Sequence, residues 1–378
     1  MALEGFSIRE LQSDIAQSDA EWQADETSFT KMTHEERSHY LGYIPGPGEP
    51  SLEDREQIAQ EKLDVFLAEA AAAAYPSFYD LRNVSGGNFI TSVKDQGRCG
   101  SCVAFGVVAT AEGRFRRQRN NPNLSVDFSE AHLYFCNGRR CTRAEGNSGW
   151  WPSAALNYFR DNGVVDEACF PYKDTTQPCK LCSDSSNRLK KITGWKHITS
   201  HAEMKEWIST KGPLVACYTV YSDFYAYKGG IYKHVKGSME GGHCVSVVGY
   251  NDAEKYWICK NSWGKAFGEE NPYDTGTPKE KGYFRIAYGQ CGIDSSMDTV
   301  DAIVETGWER NQRIIGLWAI NEDRNAWVYV KDMGWRKVSP DNNNIFYNML
   351  THLIAAKAGN LRVDFYQENR VIKEVYVF

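Results

Sequence analysis

A thiol, an imidazole and a carboxamide stand in this chain at positions from which acyl transfer could be run. Cys102 ends the stretch Gln96-Gly97-Arg98-Cys99-Gly100-Ser101-Cys102 and opens the apolar run Val103-Ala104-Phe105-Gly106-Val107-Val108-Ala109. The periodicity of that run suits a buried helix with Cys102 in its first turn. There, unpaired backbone N–H groups and the positive helix end favour the thiolate. His243 follows Gly241-Gly242 at the start of the strand-like Cys244-Val245-Ser246-Val247-Val248-Gly249-Tyr250. Asn261 lies in Lys260-Asn261-Ser262-Trp263-Gly264, after a second short strand. Each alone is ordinary, because free cysteines are common core residues and a lone histidine is more often structural. Together they supply the nucleophile, base and orienting amide of chemistry through a thioester.

The flanks carry a family resemblance. Asp95-Gln96-Gly97, Cys99-Gly100-Ser101-Cys102, Gly212-Pro213, Tyr227-Lys228-Gly229-Gly230-Ile231-Tyr232, Asn261-Ser262-Trp263-Gly264 and Gly282-Tyr283-Phe284-Arg285-Ile286 follow one another in the order found in papain-like cysteine peptidases, which the chain resembles from about residue 76 to 300. The family places its histidine and asparagine roughly 130 to 150 residues beyond the cysteine, and His243 lies 141 residues after Cys102.

The resemblance implies an α+β, two-lobed fold, a helical lobe facing a β-barrel-like lobe across a cleft, and hydrolysis of peptide bonds. Cys102 would attack the carbonyl and His243 would protonate the leaving amine. Asn261 would orient the imidazole under the indole of Trp263, and Gln96 would donate to the oxyanion beside the Cys102 N–H. On the substrate side, Gly149 corresponds to the glycine that pairs with the peptide backbone. At least one of Trp150 and Trp151 would wall the apolar pocket for the second side chain before the cut, and Ser296 would lie at its floor. Gly242 leaves open space near the scissile bond. Neither a cofactor nor a metal is implied. The competing readings are a ligase that passes the same thioester to an amine, and a peptide-binding protein that has kept the fold without the chemistry.

The 378 residues carry a net charge of −6, which argues against a nucleic-acid partner, and no apolar run is long enough to span a bilayer. Eleven cysteines pull toward an oxidising compartment, so export is the favoured location. The start Met1-Ala2-Leu3-Glu4-Gly5 has no signal-peptide pattern and keeps a cytoplasmic location open. In the family a cysteine at the place of Cys99 is bridged to one just before an Asn-Gly-Gly segment. Here that segment reads Gly146-Asn147-Ser148-Gly149, so Cys141 is the nearest substitute, and Cys136 would pair with Cys169, Cys179 or Cys182. The spacing of Cys179 and Cys182 is zinc-like but lacks a second half. Cys217, Cys244 and Cys259 read as reduced core residues.

Three regions must position these groups. Residues 1–75 read as a helical, propeptide-like region: a capping box at Ser7-Ile8-Arg9-Glu10, a short helix after Thr33, a linker at Pro45-Gly46-Pro47-Gly48-Glu49-Pro50, and a helix from Ser51 toward Ala70–Ala74. The resemblance makes this segment an inhibitor in the cleft, with processing expected between about Ala70 and Ser77; a permanent helical cap is the alternative. Residues 76–302 form the peptidase-like part, helical to about 190 and strand-rich after, with His197 and His201 read as surface residues. An insertion, Asn271-Pro272-Tyr273-Asp274-Thr275-Gly276-Thr277-Pro278, reads as a surface loop. From 303 to 378 the pattern is β-β-β-α-β-β, a small α+β accessory module. Its alternating Trp318, Trp327, Tyr329 and Trp335 read as sheet packing rather than as a ligand platform.

Overall fold

The computed structural model describes the chain apart from residues 1, 2, 4, 70–74, 332 and 369, and gives only backbone over 64–69. The N-terminal region begins with α1 (Ile8–Gln17), held by the capping box of Ser7 and Glu10. Then comes β1 (Glu21–Ala24), in a stretch the sequence pattern reads as helical. Next are α2 (His34–Ser38), capped in the same way by Thr33 and Glu36, and α3 (Leu52–Glu69). The alanine run at 70–74, with most of the expected processing region, lies outside the described residues.

After β2 (Phe78–Asp80) the helical lobe is built from α4 (Cys102–Gln118), α5 (Glu130–Phe135), α6 (Pro152–Asp161) and α7 (Ser185–Arg188). The strand-rich lobe follows with β3 (His197–Ile198), α8 (His201–Thr210), β4 (Leu214–Tyr221), β5 (Tyr227–Tyr232), β6 (Met239–Asn251), β7 (Tyr256–Lys260), β8 (Glu269–Glu270), β9 (Lys281–Ala287) and β10 (Met297–Asp298). Its strands run in the order β1-β5-β9-β7-β6-β4-β10-β3, with β2 on β6 and β8 on β9. This path is open-ended, so the lobe is a sheet where a barrel-like form was expected.

The N-terminal region is built into that sheet. β1 pairs antiparallel with β5, and Trp22 buries its ring against Tyr227 and Tyr232. One core fills the strand-rich lobe and takes in Leu11, Ile15, Trp22 and Phe29. The other surrounds α4 in the helical lobe. α4 is buried on most sides and lies against β6, closely enough that a Cβ at Gly106 would come 3.0 Å from Cys244 Sγ and 3.2 Å from the Val245 carbonyl oxygen. That close approach is what brings the start of α4 next to the strand carrying His243.

Three disulfides brace the helical lobe: Cys99–Cys141, Cys136–Cys179 and Cys169–Cys182. The last two consume both cysteines of the zinc-like pair. Cys217, Cys244 and Cys259 are free and buried. His201 is not a surface residue: it is 4% exposed and its Nε2 lies 3.1 Å from the buried Asp294 carboxylate. His197 pairs with Asp298 at 2.8 Å. The insertion closes on itself through Asp274, which accepts the Gly276 and Glu280 N–H groups, and docks on Val93 through Glu280.

β11 (Gly307–Ala319), β12 (Ala326–Val330), β13 (Gly334–Val338), α9 (Asn343–Ala358), β14 (Arg362–Glu368) and β15 (Val371–Val377) make a closed five-stranded barrel, order β11-β12-β13-β15-β14, with α9 between its third and fourth strands. Ala326, Val328 and Val330 point inward on β12, so the alternation of a strand turns Trp327 and Tyr329 outward. Trp318, Tyr329 and Trp335 are 45%, 37% and 38% exposed; these aromatics line the outer face and are not core. The barrel is tied to the C-terminal end of α4 by the buried Glu305, which accepts from Arg336 Nη2 at 2.6 Å and lies 3.2 Å from Arg119 Nη2. No helix among the described residues is long and apolar enough to cross a membrane.

Candidate active site

Cys102 is the first residue of α4 and His243 sits within β6, so the two come from different lobes. The loop before α4 is fastened to the loop after β7: Gln96 N–H donates to the Ser262 carbonyl at 2.8 Å, and Ser262 Oγ donates to Gln96 Oε1 at 2.7 Å. That second bond fixes the carboxamide so that its Nε2 is turned to donate. Asn261 Oδ1 lies 2.8 Å from His243 Nε2, and the Trp263 ring stands 4.7 Å from the imidazole, tilted 41°. With Nε2 held by Asn261, Nδ1 is the nitrogen left to exchange a proton.

Cys102, His243 and Gln96 are each 0% exposed, because the chain's own N-terminal region crosses them. Tyr40 presents its carbonyl to Gln96 Nε2 at 3.1 Å. Gly42 accepts from Trp150 N–H at 2.7 Å, and Ile44 N–H donates to the Trp150 carbonyl at 3.0 Å. On the opposite wall Tyr43 N–H donates to the Gly242 carbonyl, also at 3.0 Å. After the turn at Tyr40, residues 42–44 are therefore a peptide segment hydrogen-bonded to both walls at once. It runs parallel to the Trp150 segment and antiparallel to the Gly242 strand.

Burial under this peptide sets the titration of the pair. Desolvation pushes the Cys102 thiol up to about 12, although the backbone N–H groups of Cys244, Gly42 and Val103 pull the other way. Desolvation likewise lowers His243 to about 4, against the opposing pull of Asn261. The helix start that favours a thiolate in the sequence is overridden here, because no water reaches the sulfur to support a charge. Both shifts favour the uncharged thiol and imidazole in the covered state.

The expected substrate-side residues divide. Trp150, 2% exposed, makes the backbone bonds to the crossing peptide. Gly149 instead takes its N–H to Tyr134 Oη at 3.2 Å and accepts from Arg139 Nη1 at 3.2 Å. The crossing peptide is thus paired one residue beyond Gly149. Tyr43 is buried, and the guanidinium of Arg55, from α3, lies 5.5 Å from its ring centre. The same guanidinium donates to Ser296 Oγ at 3.0 Å and to the Cys217 carbonyl at 3.1 Å. Ser296 is therefore covered by a side chain of the chain's own N-terminal region. Trp151 flanks the same path further along, where a Cβ on Gly46 would come 2.6 Å from its ring. Sequence reasoning did not find Tyr40, Gly42, Tyr43 and Arg55, since so short a crossing stretch has no periodicity of its own. Only the Pro45 to Pro50 linker hinted at a redirected chain, and the crossing lies just before it.

The sequence profile of the papain family of cysteine proteases matches residues 75–300. A cathepsin B-like protein of Giardia intestinalis, CP3, is 35% identical over 255 residues, 64% of this chain and 79% of that protein. A second, CP2, is 36% identical over 222 residues, 54% and 67% of the two chains. Among solved structures, procathepsin B S9 from Trypanosoma congolense superposes with a TM-score of 0.59 at 22% identity, over 78% of this chain and 96% of that one. A recombinant stem bromelain precursor gives 0.57 at 25%, over 78% and 88%. A matched profile over most of the length, with a thiol, an imidazole, an orienting amide and a primed carboxamide donor gathered at one cleft, settles the assignment: the chain belongs to the papain family of cysteine proteases.

Proposed function

We propose that Cys102 is the nucleophile of this peptidase, His243 its acid and base, Asn261 the residue that orients the imidazole, and Gln96 the side-chain oxyanion donor. When the cleft is open, His243 Nδ1 takes the Cys102 proton and the sulfur attacks the peptide carbonyl. The C–N bond then breaks with the proton passing to the departing amine, and water hydrolyses the thioester. Gln96 Nε2 and the Cys102 N–H face the oxygen where charge develops. The observation that carries this reading is the hydrogen bond that Gln96 Nε2 donates to the Tyr40 carbonyl at 3.1 Å, a peptide carbonyl lying in this cleft.

Residues 1–75 act as the inhibitory segment of a precursor, with 40–44 filling the cleft and Arg55 the adjoining pocket. The three disulfides fit an oxidising, exported setting, and residues 303–378 form an accessory domain with an aromatic outer face. Replacing Gln96 by alanine tests the site assignment. Loss of one such donor lowers kcat by about 10² to 10³, so steady-state kinetics on the processed enzyme should show the fall in kcat with little change in KM. An unchanged kcat with a raised KM would make Gln96 a substrate-binding residue instead.

A further inference from the structure

Glu240 lies on β6, three residues before His243, and its side chain is fully buried by two basic residues of the N-terminal region. His34 Nδ1 lies 2.8 Å from Glu240 Oε2, and Arg37 Nη2 donates to Oε1 at 3.3 Å. The two partners are not equivalent: the side chain of His34 is 49% exposed, that of Arg37 only 2%. Arg37 enters a made site. Its guanidinium stacks 5.0 Å above the Tyr225 ring and donates through Nη1 to the Met32 carbonyl. Tyr225 in turn stacks on Trp263 at 5.7 Å, the indole that lies against His243. A carboxylate beside an aromatic face is a receptor suited to a planar cation.

The crossing peptide shows on which side of the reacting bond this receptor lies. Tyr43 and Arg55 lie by Trp150 and Ser296, where the family resemblance puts the pocket for the side chain two residues before the cut. Tyr40 sits at the oxyanion donor. Residues before 40 therefore lie over the other half of the cleft, where the leaving group of a substrate rests. A peptide that replaces residues 1–75 meets a Glu240 carboxylate freed from both partners, so a guanidinium there would restore the charge-assisted contact that Arg37 makes.

We infer that Glu240, with the Tyr225 face, selects substrates carrying an arginine on the leaving-group side of the scissile bond, within the first three residues after the cut. Arg37 occupies this site in the precursor as a stand-in for the substrate guanidinium. The inference rests on the reading that residues 1–75 block the cleft of an active peptidase.

The test uses the full chain after it has processed itself, with internally quenched peptides identical except for arginine, alanine or glutamate at the first, second or third position after the cut. At one of those positions kcat/KM for arginine should exceed that for alanine by about tenfold or more, with glutamate below both. In Glu240→Gln the arginine-to-alanine ratio should fall to within about twofold, a loss of the charged acceptor, while Glu240→Asp keeps part of it. Cleavage of all peptides with no preference for arginine, or an equal preference in Glu240→Gln, overturns the inference and leaves the peptidase reading standing. Failure of the parent chain to cut any of them overturns both.

Discussion

Cys102→Ala is expected to abolish peptide hydrolysis, a loss of about 10⁴-fold or more as for removal of other covalent nucleophiles, with the fold retained. Five free cysteines are all buried, so burial alone does not single one out. Position does: Cys102 heads α4 at the meeting of the two lobes, under the peptide that runs from Tyr40 to Ile44. Cys217 and Cys244 face each other across the β4–β6 ladder, and Cys259 is sealed in the strand-rich core. Serine at any of these three should lower stability by about 1 to 3 kcal/mol, through a buried hydroxyl without an assured partner, and leave kcat of the folded fraction nearly untouched. Thermal unfolding measured beside activity separates the two outcomes. Turnover in Cys102→Ala equal to that of the parent would remove the thiol from the mechanism.

The second large effect is expected at Gly42. A Cβ there would come 1.9 Å from the Gly100 carbonyl oxygen and 2.3 Å from its carbon, and both belong to the braced backbone just before Cys102. Neither can move aside as a flexible side chain would. Gly42→Ala must therefore lift the crossing peptide and weaken its three backbone bonds to Trp150 and Gly242. Overpacking of this kind costs about 1 to 3 kcal/mol, equivalent to roughly 10- to 100-fold more open cleft. The uncut Gly42→Ala chain should hydrolyse a short peptide faster than the uncut parent by that factor, read as an initial rate before any shortened chain appears. Equal initial rates would mean that residues 40–44 do not limit access.

The same cover should respond to pH in a direction set by the two titrating groups. His243 is depressed to about 4 while covered, from an ordinary value near 6.5, so its contribution to the covered state is complete above 6.5 and is lost as pH falls toward 4. Cys102 is raised to about 12 from near 9, so its contribution is complete below 9 and is lost as pH rises toward 12. The cover is thus firmest between about 6.5 and 9. Acidification to 4 should favour opening by up to about 3 kcal/mol, at 1.36 kcal/mol per pKa unit. Hydrogen exchange of the Tyr43 and Ile44 amides in Cys102→Ala, corrected for intrinsic rates, should lose protection over that acid range. Constant protection from 7 to 4 would detach His243 from the release of the segment.

How far the sequence reaches can be judged from particular residues. The family, the helix starts at Ser7 and Thr33, and the strand and helix order after residue 303 were legible, because spacing, capping boxes and periodicity are local properties. Cys99 found its bridge partner in Cys141 as the shifted Asn-Ser-Gly segment suggested. What was not legible depends on partners distant in the chain. Glu21–Ala24 is a strand only because the edge of β5 is there to receive it. The alternation of Trp327 and Tyr329 defines two faces but does not say which is inside. The crossing peptide pairs with Trp150, next to Gly149, a register across the cleft that composition does not specify. Burial of His201 follows from Asp294, more than ninety residues away. Residues 42–44 carry no pattern at all; two walls hold them in place.

Cys102 is proposed to be the working nucleophile of a peptidase, covered by residues 40–44 of its own chain. Incubating the purified chain with a peptide-based thiol alkylator and following it by mass spectrometry tests both halves together. The prediction is one adduct, on Cys102, absent from full-length chains at neutral pH and appearing in step with chains that have lost the N-terminal region. Stoichiometric labelling of Cys102 in uncut chains at the first time point would contradict the cover, and an adduct on any other cysteine of the shortened chain, with Cys102 unmodified, would contradict the nucleophile.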